Sequence, residues 1–121
     1  LALEQVCDIM TAIYDPKVPN HRYAAPNKFY EALMLGKPVV MARNTGFDEI
    51  IEKNHIGFLI DFSEKGFSDG MNQLISHKDK WDAMGERMRQ LYKKKYSWNE
   101  MEKRLINLYS ELIDEKNINC K

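Results

Sequence analysis

Pro26-Asn27-Lys28-Phe29-Tyr30-Glu31-Ala32-Leu33-Met34-Leu35-Gly36-Lys37-Pro38-Val39-Val40 reads as a short helix, a glycine stop and a buried strand. Pro26 suits the first turn of a helix, where a missing N–H costs nothing. Phe29, Ala32, Leu33 and Gly36 recur at helical spacing and mark one buried face. Gly36 suits the left-handed residue just past a helix end, and Pro38 cannot continue the helix. Val39-Val40-Met41 then starts a β-branched, apolar run. Glu31 is the one carboxylate in this apolar helix, and Lys28, three positions earlier, shares its face. A cation and an acceptor thus stand beside a helix N-terminus, which itself attracts anions.

Working outward, the run at 9–14 is apolar and bounded by Asp8 and Asp15-Pro16, as a buried strand would be. Residues 15–25 read as loop. A strand is expected over 38–43, a helix opening at Thr45-Gly46 and running to about Lys53, and a third strand over 57–61. Everything from Ser63 onward reads as helix. Phe67, Met71, Leu74 and Ile75 mark one amphipathic segment, Trp81, Met84, Met88 and Leu91 a second. Trp98, Met101, Leu105, Leu108 and Leu112 mark a final helix over about 97–116, with Ser97 and Glu100 spaced as a capping box. Alternating strands and helices imply a parallel sheet with right-handed crossovers. The fold class is α/β: a partial, Rossmann-like parallel sheet with helices on both faces and a helical C-terminal half. Three strands are few for such a sheet, and the chain starts at Leu1 directly before a strand-like run. It is therefore expected to be a piece of a longer protein, with the other strands upstream and one sheet edge open to self-association.

Composition narrows the partners. The 121 residues are 44% hydrophobic and 30% charged, ordinary for a packed domain. Eighteen basic and eighteen acidic residues cancel, so nothing in the overall charge points to nucleic acid. Cys7 and Cys120 have no metal spacing and build no disulfide framework, as in a reducing cytoplasm. No apolar run approaches the ~20 residues that span a bilayer.

The opening segment resembles the nucleotide-sugar signature of the group 1 glycosyltransferases, the large retaining family with the GT-B fold. Glu31-Ala32-Leu33-Met34-Leu35-Gly36-Lys37-Pro38-Val39-Val40 matches its E-A-x-x-x-G-x-P-V-V run without a gap. Asn44-Thr45-Gly46-Phe47-Asp48-Glu49-Ile50-Ile51 resembles the G-G-x-x-E-I-I loop. Asn54-His55-Ile56-Gly57-Phe58-Leu59-Ile60 resembles the N-G-x-x-G-x-L-V turn and strand, and Tyr96-Ser97-Trp98 the F-S-W opening of the last helix. Cys7-Asp8-Ile9-Met10 is similar to the A-D start of a strand. Each motif alone is weak; in this order and spacing they cover nearly the whole chain.

The resemblance implies that residues 1–121 are the C-terminal portion of the nucleotide-sugar-binding domain of a GT-B glycosyltransferase. Its parent would pass a hexose from a nucleotide-diphosphate sugar to a glycan or lipid-linked acceptor in surface polysaccharide synthesis. It would work in the cytoplasm or at the cytoplasmic membrane face, with peripheral membrane association allowed. The acceptor half and the phosphate-binding basic residues would lie upstream, so the fragment alone is expected to be inactive. No catalytic residue is assignable. No metal site and no cofactor is implied beyond the donor itself. A non-catalytic nucleotide-binding or regulatory module, and a GT-B nucleotide-sugar epimerase, are the alternative readings.

The implied donor contacts are Tyr23, Ala24, Ala25, Asn27, Lys28 and Glu31. The family's Glu at the Glu31 position accepts from the ribose hydroxyls, which suits a carboxylate with two acceptor oxygens. Against this stands a solvated Glu31 paired with Lys28. Lys28 opposes its own helix dipole unless an anion is bound, and a diphosphate would be one. Tyr23 stands where the family often has a second Glu for the donor sugar, and Ala24-Ala25-Pro26 replaces its Gly-Phe-Gly. Tyr23 either meets a sugar or covers the sheet edge. Asn44, Thr45 and Gly46 either offer backbone N–H groups to a ligand or cap the next helix. His21, His55 and His77 have no ligand spacing, and the 87–95 basic run reads as a solvated face.

Overall fold

The computed structural model describes residues 1–119, with side chains through Asp114. Three parallel strands, β1 (Met10–Ala12), β2 (Val39–Ala42) and β3 (Gly57–Ile60), lie side by side in chain order. Met10 pairs with Val39, and Val39 in turn with Gly57. All four residues of β2 are buried, because the strand is flanked on both edges and covered on both faces.

Seven α-helices surround this sheet among the described residues. They are α1 (Ala2–Val6), α2 (Pro19–Tyr23), α3 (Asn27–Leu35), α4 (Asp48–Asn54), α5 (Glu64–Ser76), α6 (Trp81–Leu91) and α7 (Trp98–Asn119). A 3₁₀ turn, Lys78–Lys80, precedes α6, and a π turn, Tyr92–Tyr96, follows it. One sheet face carries α3, α4 and α6, which bury Phe29, Leu33, Met41, Ile51, Ile56 and Met88. The other carries α5, where Leu74 packs on Val40 and Ile60. Alternation along the strands separates the sets: Val39 and Met41 face one layer, Val40 the other.

The helix-to-strand join forms as its sequence dictates. Gly36 adopts φ 68, its N–H donates to the Leu33 carbonyl at 3.3 Å, and the Lys37 N–H donates to that of Ala32 at 3.0 Å. This pair of bonds satisfies two carbonyls at the helix end and reverses the chain into β2. Helix α6 packs closely here, since a Cβ on Gly85 would stand 2.5 Å from the Gly36 carbonyl oxygen. Pro26 is the N-cap of α3 rather than part of its first turn.

Several local expectations shift. The chain opens on the short helix α1 before its first strand, and the 15–25 loop contains α2, with Pro19 at its first position. The expected helix at Thr45-Gly46 starts later, at Asp48, because Asn44 and Gly46 hold positive φ values that no right-handed helix accepts. The capping box does not close: the Ser97 hydroxyl donates back to the Lys93 carbonyl at 3.1 Å. In α5, Leu74 is buried and Met71 half-buried, but Phe67 and Ile75 are exposed, because among the described residues only the side of α5 turned to the sheet is covered. In α7 the apolar stripe forms, yet Leu105, Leu108 and Leu112 stay about half exposed, with Ile106, Tyr109 and Ile113 beside them. Cys7 is exposed, and Cys120 lies outside the described residues. No helix among the described residues is long and apolar enough to cross a membrane.

Candidate functional site

Parallel strands place their carboxyl ends at one edge of a sheet, and ligands of open α/β sheets bind there. Three loops meet at this edge: 13–26 after β1, 43–47 after β2 and 61–63 after β3. The N-terminus of α3 rises from the first of them. Phe29, fully buried, anchors that turn against Phe47 of the second loop at 4.4 Å, and Tyr30 meets Phe47 at 6.3 Å. With Phe29 turned into the core, Lys28 is left exposed and Glu31 half-buried.

Glu31 makes no hydrogen bond and no ion pair with the described residues, and Lys28 makes none either. The two share a face, as their spacing requires, without closing on each other. Both acceptor oxygens of Glu31 are therefore free of partners among the described residues. The N-terminus of α3 is equally open: Pro26 offers no capping side chain, and no acidic residue stands in the first turn. A helix of this kind presents unsatisfied N–H groups and a partial positive charge. Asn27, its first residue, is exposed.

The other implied contacts sit on the same edge. Tyr23 ends α2 and is 83% exposed, so it does not cover the sheet. Ala24 follows in extended backbone and is half-buried, while Ala25 is exposed. The loop before them is fixed by its own polar groups. Asp15 accepts the Lys17 N–H at 2.9 Å, and its carbonyl accepts from His21 Nδ1 at 3.1 Å while the His21 ring leans on Tyr14 at 5.3 Å. His21, within α2, is thus a half-buried structural residue held through Nδ1. His55 ends α4 at φ 50, and His77 lies on Phe58; a groove of about 280 Å³ that both line with Lys80 and Arg87 opens toward the amino-terminal end of β3, away from Glu31.

The Thr45 side chain does not cap α4. It is 2% exposed, and its hydroxyl donates to the Ala42 carbonyl at 2.7 Å, folding the loop back on the end of β2. Helix α4 has no side-chain cap; the Asp48 carboxylate instead reaches backward and accepts the Asn44 N–H.

Burial pushes the Tyr30 phenol above its usual range, and the neighbouring Tyr96 adds to this. The rings stand 5.4 Å apart, so α3 is tied to the π turn by aromatic contact. Of the basic run, Lys93, Lys94 and Lys95 are exposed, but the arginines are employed. Arg87 donates to the Asn54 and His55 carbonyls at 3.3 and 2.8 Å, and Arg89 to that of Leu35 at 3.5 Å. Each neutralises the C-terminus of another helix. No sequence signal marks these roles, since the partners lie far away along the chain. Among the described residues no group of three or more His, Cys, Asp or Glu is placed to hold a metal ion.

The family model for glycosyl transferases group 1 matches residues 18–91, from the loop before α2 to the end of α6. No curated protein and no solved structure matches the chain significantly.

Proposed function

The chain belongs to the group 1 glycosyltransferases, and from that premise we propose that its carboxyl edge holds the nucleotide of a nucleotide-diphosphate sugar. The family transfers sugars and has the GT-B fold, with which the parallel three-stranded sheet agrees. The observation that carries the proposal is Glu31, half-buried at this edge with neither oxygen engaged by the described residues. Two vicinal ribose hydroxyls are the donors that a single carboxylate accepts in pairs. The open N-terminus of α3, with Lys28 beside it, receives the diphosphate. There the same charges stabilise the departing nucleoside diphosphate as the glycosidic bond breaks, without a metal ion in the step. Asn27, Ala24, Ala25 and Tyr23 border the sugar.

On this reading, residues 1–121 are the C-terminal portion of the nucleotide-sugar-binding domain of a retaining hexosyltransferase. Its acceptor is a glycan or a lipid-linked saccharide of a surface polysaccharide, reached from the cytoplasm. The chain alone binds a donor but does not transfer its sugar. Tyr23, where the family often has an acidic residue, favours a second reading, a nucleotide-binding module without transfer. Turnover of a donor panel by the full-length protein separates the two.

Titration calorimetry with nucleoside diphosphates tests the site. Glu31→Gln keeps size and removes charge, so affinity falls roughly tenfold to a hundredfold, as the loss of about 1.5–3 kcal/mol from a charged acceptor requires. Equal affinity in wild type and variant, with equal melting curves, would remove Glu31 from the site.

A further inference from the structure

The loop between β2 and α4 holds two left-handed residues, one of them not a glycine. Asn44 sits at φ 62 and Gly46 at φ 83. Glycine takes such values freely; asparagine takes them more readily than other residues with a side chain, yet at a cost that a local support offsets. The support is Asp48: the Asn44 N–H donates to its Oδ1 at 2.9 Å and its Oδ2 at 3.1 Å. An acceptor that is a carboxylate makes this a charge-assisted bond. One residue on, Thr45 is tied to the Ala42 carbonyl. The loop so held touches both α2 and the start of α3 at the carboxyl edge. Gly46 lies under the carbonyl of Arg22, where an added Cβ would stand 3.1 Å from the oxygen, one residue before Tyr23. Phe47 packs on Phe29 and Tyr30, the residues between Lys28 and Glu31.

We propose that Asp48 is a positioning residue for the nucleotide-sugar donor. It does not touch the donor; it latches Asn44, and the latched loop sets the distance between α2, which ends at Tyr23, and the first turns of α3. The proposal rests on the donor site at Glu31 described above.

Steady-state kinetics of the full-length enzyme, with donor and acceptor varied separately, test it. Asp48→Ala raises the donor KM about tenfold, the effect of losing one charge-assisted bond, and leaves the acceptor KM unchanged. Asp48→Asn retains an acceptor oxygen and recovers most of the loss. Asn44→Gly placed on Asp48→Ala also restores the donor KM, because glycine holds φ 62 without a latch. A purely structural role predicts instead that both KM values and the melting temperature move together. An unchanged donor KM in Asp48→Ala, or no rescue by Asn44→Gly, overturns the latch. If Asp48→Ala alone does not fold, the variant carrying both Asp48→Ala and Asn44→Gly is compared with wild type, and a donor KM that stays raised overturns it equally. Glu31→Gln is measured in parallel. A donor defect there with none in Asp48→Ala refutes the latch and leaves the donor site standing; no defect in either refutes the donor site and the latch with it.

Discussion

The Phe29 and Phe47 rings meet at 4.4 Å with a tilt of 53°, and this contact joins the first turn of α3 to the loop after β2. Both side chains are buried, Phe29 completely. The pair extends outward through Tyr30 to Tyr96, so one aromatic cluster spans a helix, a loop and the π turn. Phe47→Ala therefore leaves a cavity and costs about 3–5 kcal/mol of stability, with Phe47→Leu costing less. Urea midpoints check this; a Phe47→Ala midpoint equal to wild type would show that the loop does not depend on the ring.

Lys28 and Glu31 should separate in their ligand dependence. Lys28→Ala removes a charge next to the helix N-terminus, so it weakens a nucleoside diphosphate several-fold and leaves the bare nucleoside unaffected. Glu31→Gln weakens both, because both carry the ribose. Calorimetry with the two ligands on the two variants decides. Equal losses for Lys28→Ala with either ligand would take the diphosphate away from this helix.

Alkaline stability should report Tyr30. Its folded value lies above the unfolded one through burial and through Tyr96. The neutral phenol is the form the fold favours. Its contribution is thus fully present below about pH 10 and is lost as pH rises through the folded value. Tyr30→Phe cannot ionise, so its urea midpoint should fall less than that of wild type between about pH 8 and pH 11. Parallel falls in the two proteins would mean that other groups dominate. Absorbance titration of the phenolates should show one late tyrosine in wild type that Tyr30→Phe lacks.

The apolar stripe of α7 finds little to pack on within the described residues, since Leu105, Leu108 and Leu112 are each about half exposed. Amides from Leu108 to Ile113 should exchange with solvent far faster than those of α3 when the chain is monomeric. Protection there equal to that of Leu33 would show that the stripe is covered.

The join between α3 and β2 is legible in sequence because its causes are local: an apolar helical face, a glycine that takes φ 68, and a β-branched run. The parallel order follows from alternation alone. The carboxyl-edge position of Glu31 follows from both. What sequence hides is tertiary. Arg87 looks like part of a charged run until the carbonyls of Asn54 and His55 come within reach of it. Helix α2 is too short and polar to show periodicity. Ser97 can accept the Glu100 N–H or donate to a carbonyl of the preceding turn, and the π turn brings the Lys93 carbonyl close enough to win its hydroxyl. In α7, periodicity marks an apolar face correctly and says nothing of what that face meets. Thr45 shows the same limit at the site, since a threonine in a turn reads as a cap and only the fold turns its hydroxyl onto Ala42.

Strands that lie side by side in chain order also suggest a sequence of events in time. The β2–β3 ladder has four register pairs and the β1–β2 ladder three, and the first closes the shorter stretch of chain. Shorter closure costs less entropy. The β2-α4-β3 unit should nucleate folding, with β1 adding later to a finished edge. Chevron kinetics would then show Ile51→Val slowing refolding, whereas Ala12→Gly mainly hastens unfolding. A ribosome releasing this chain would hold β1 without its β2 partner until β2 had emerged behind it.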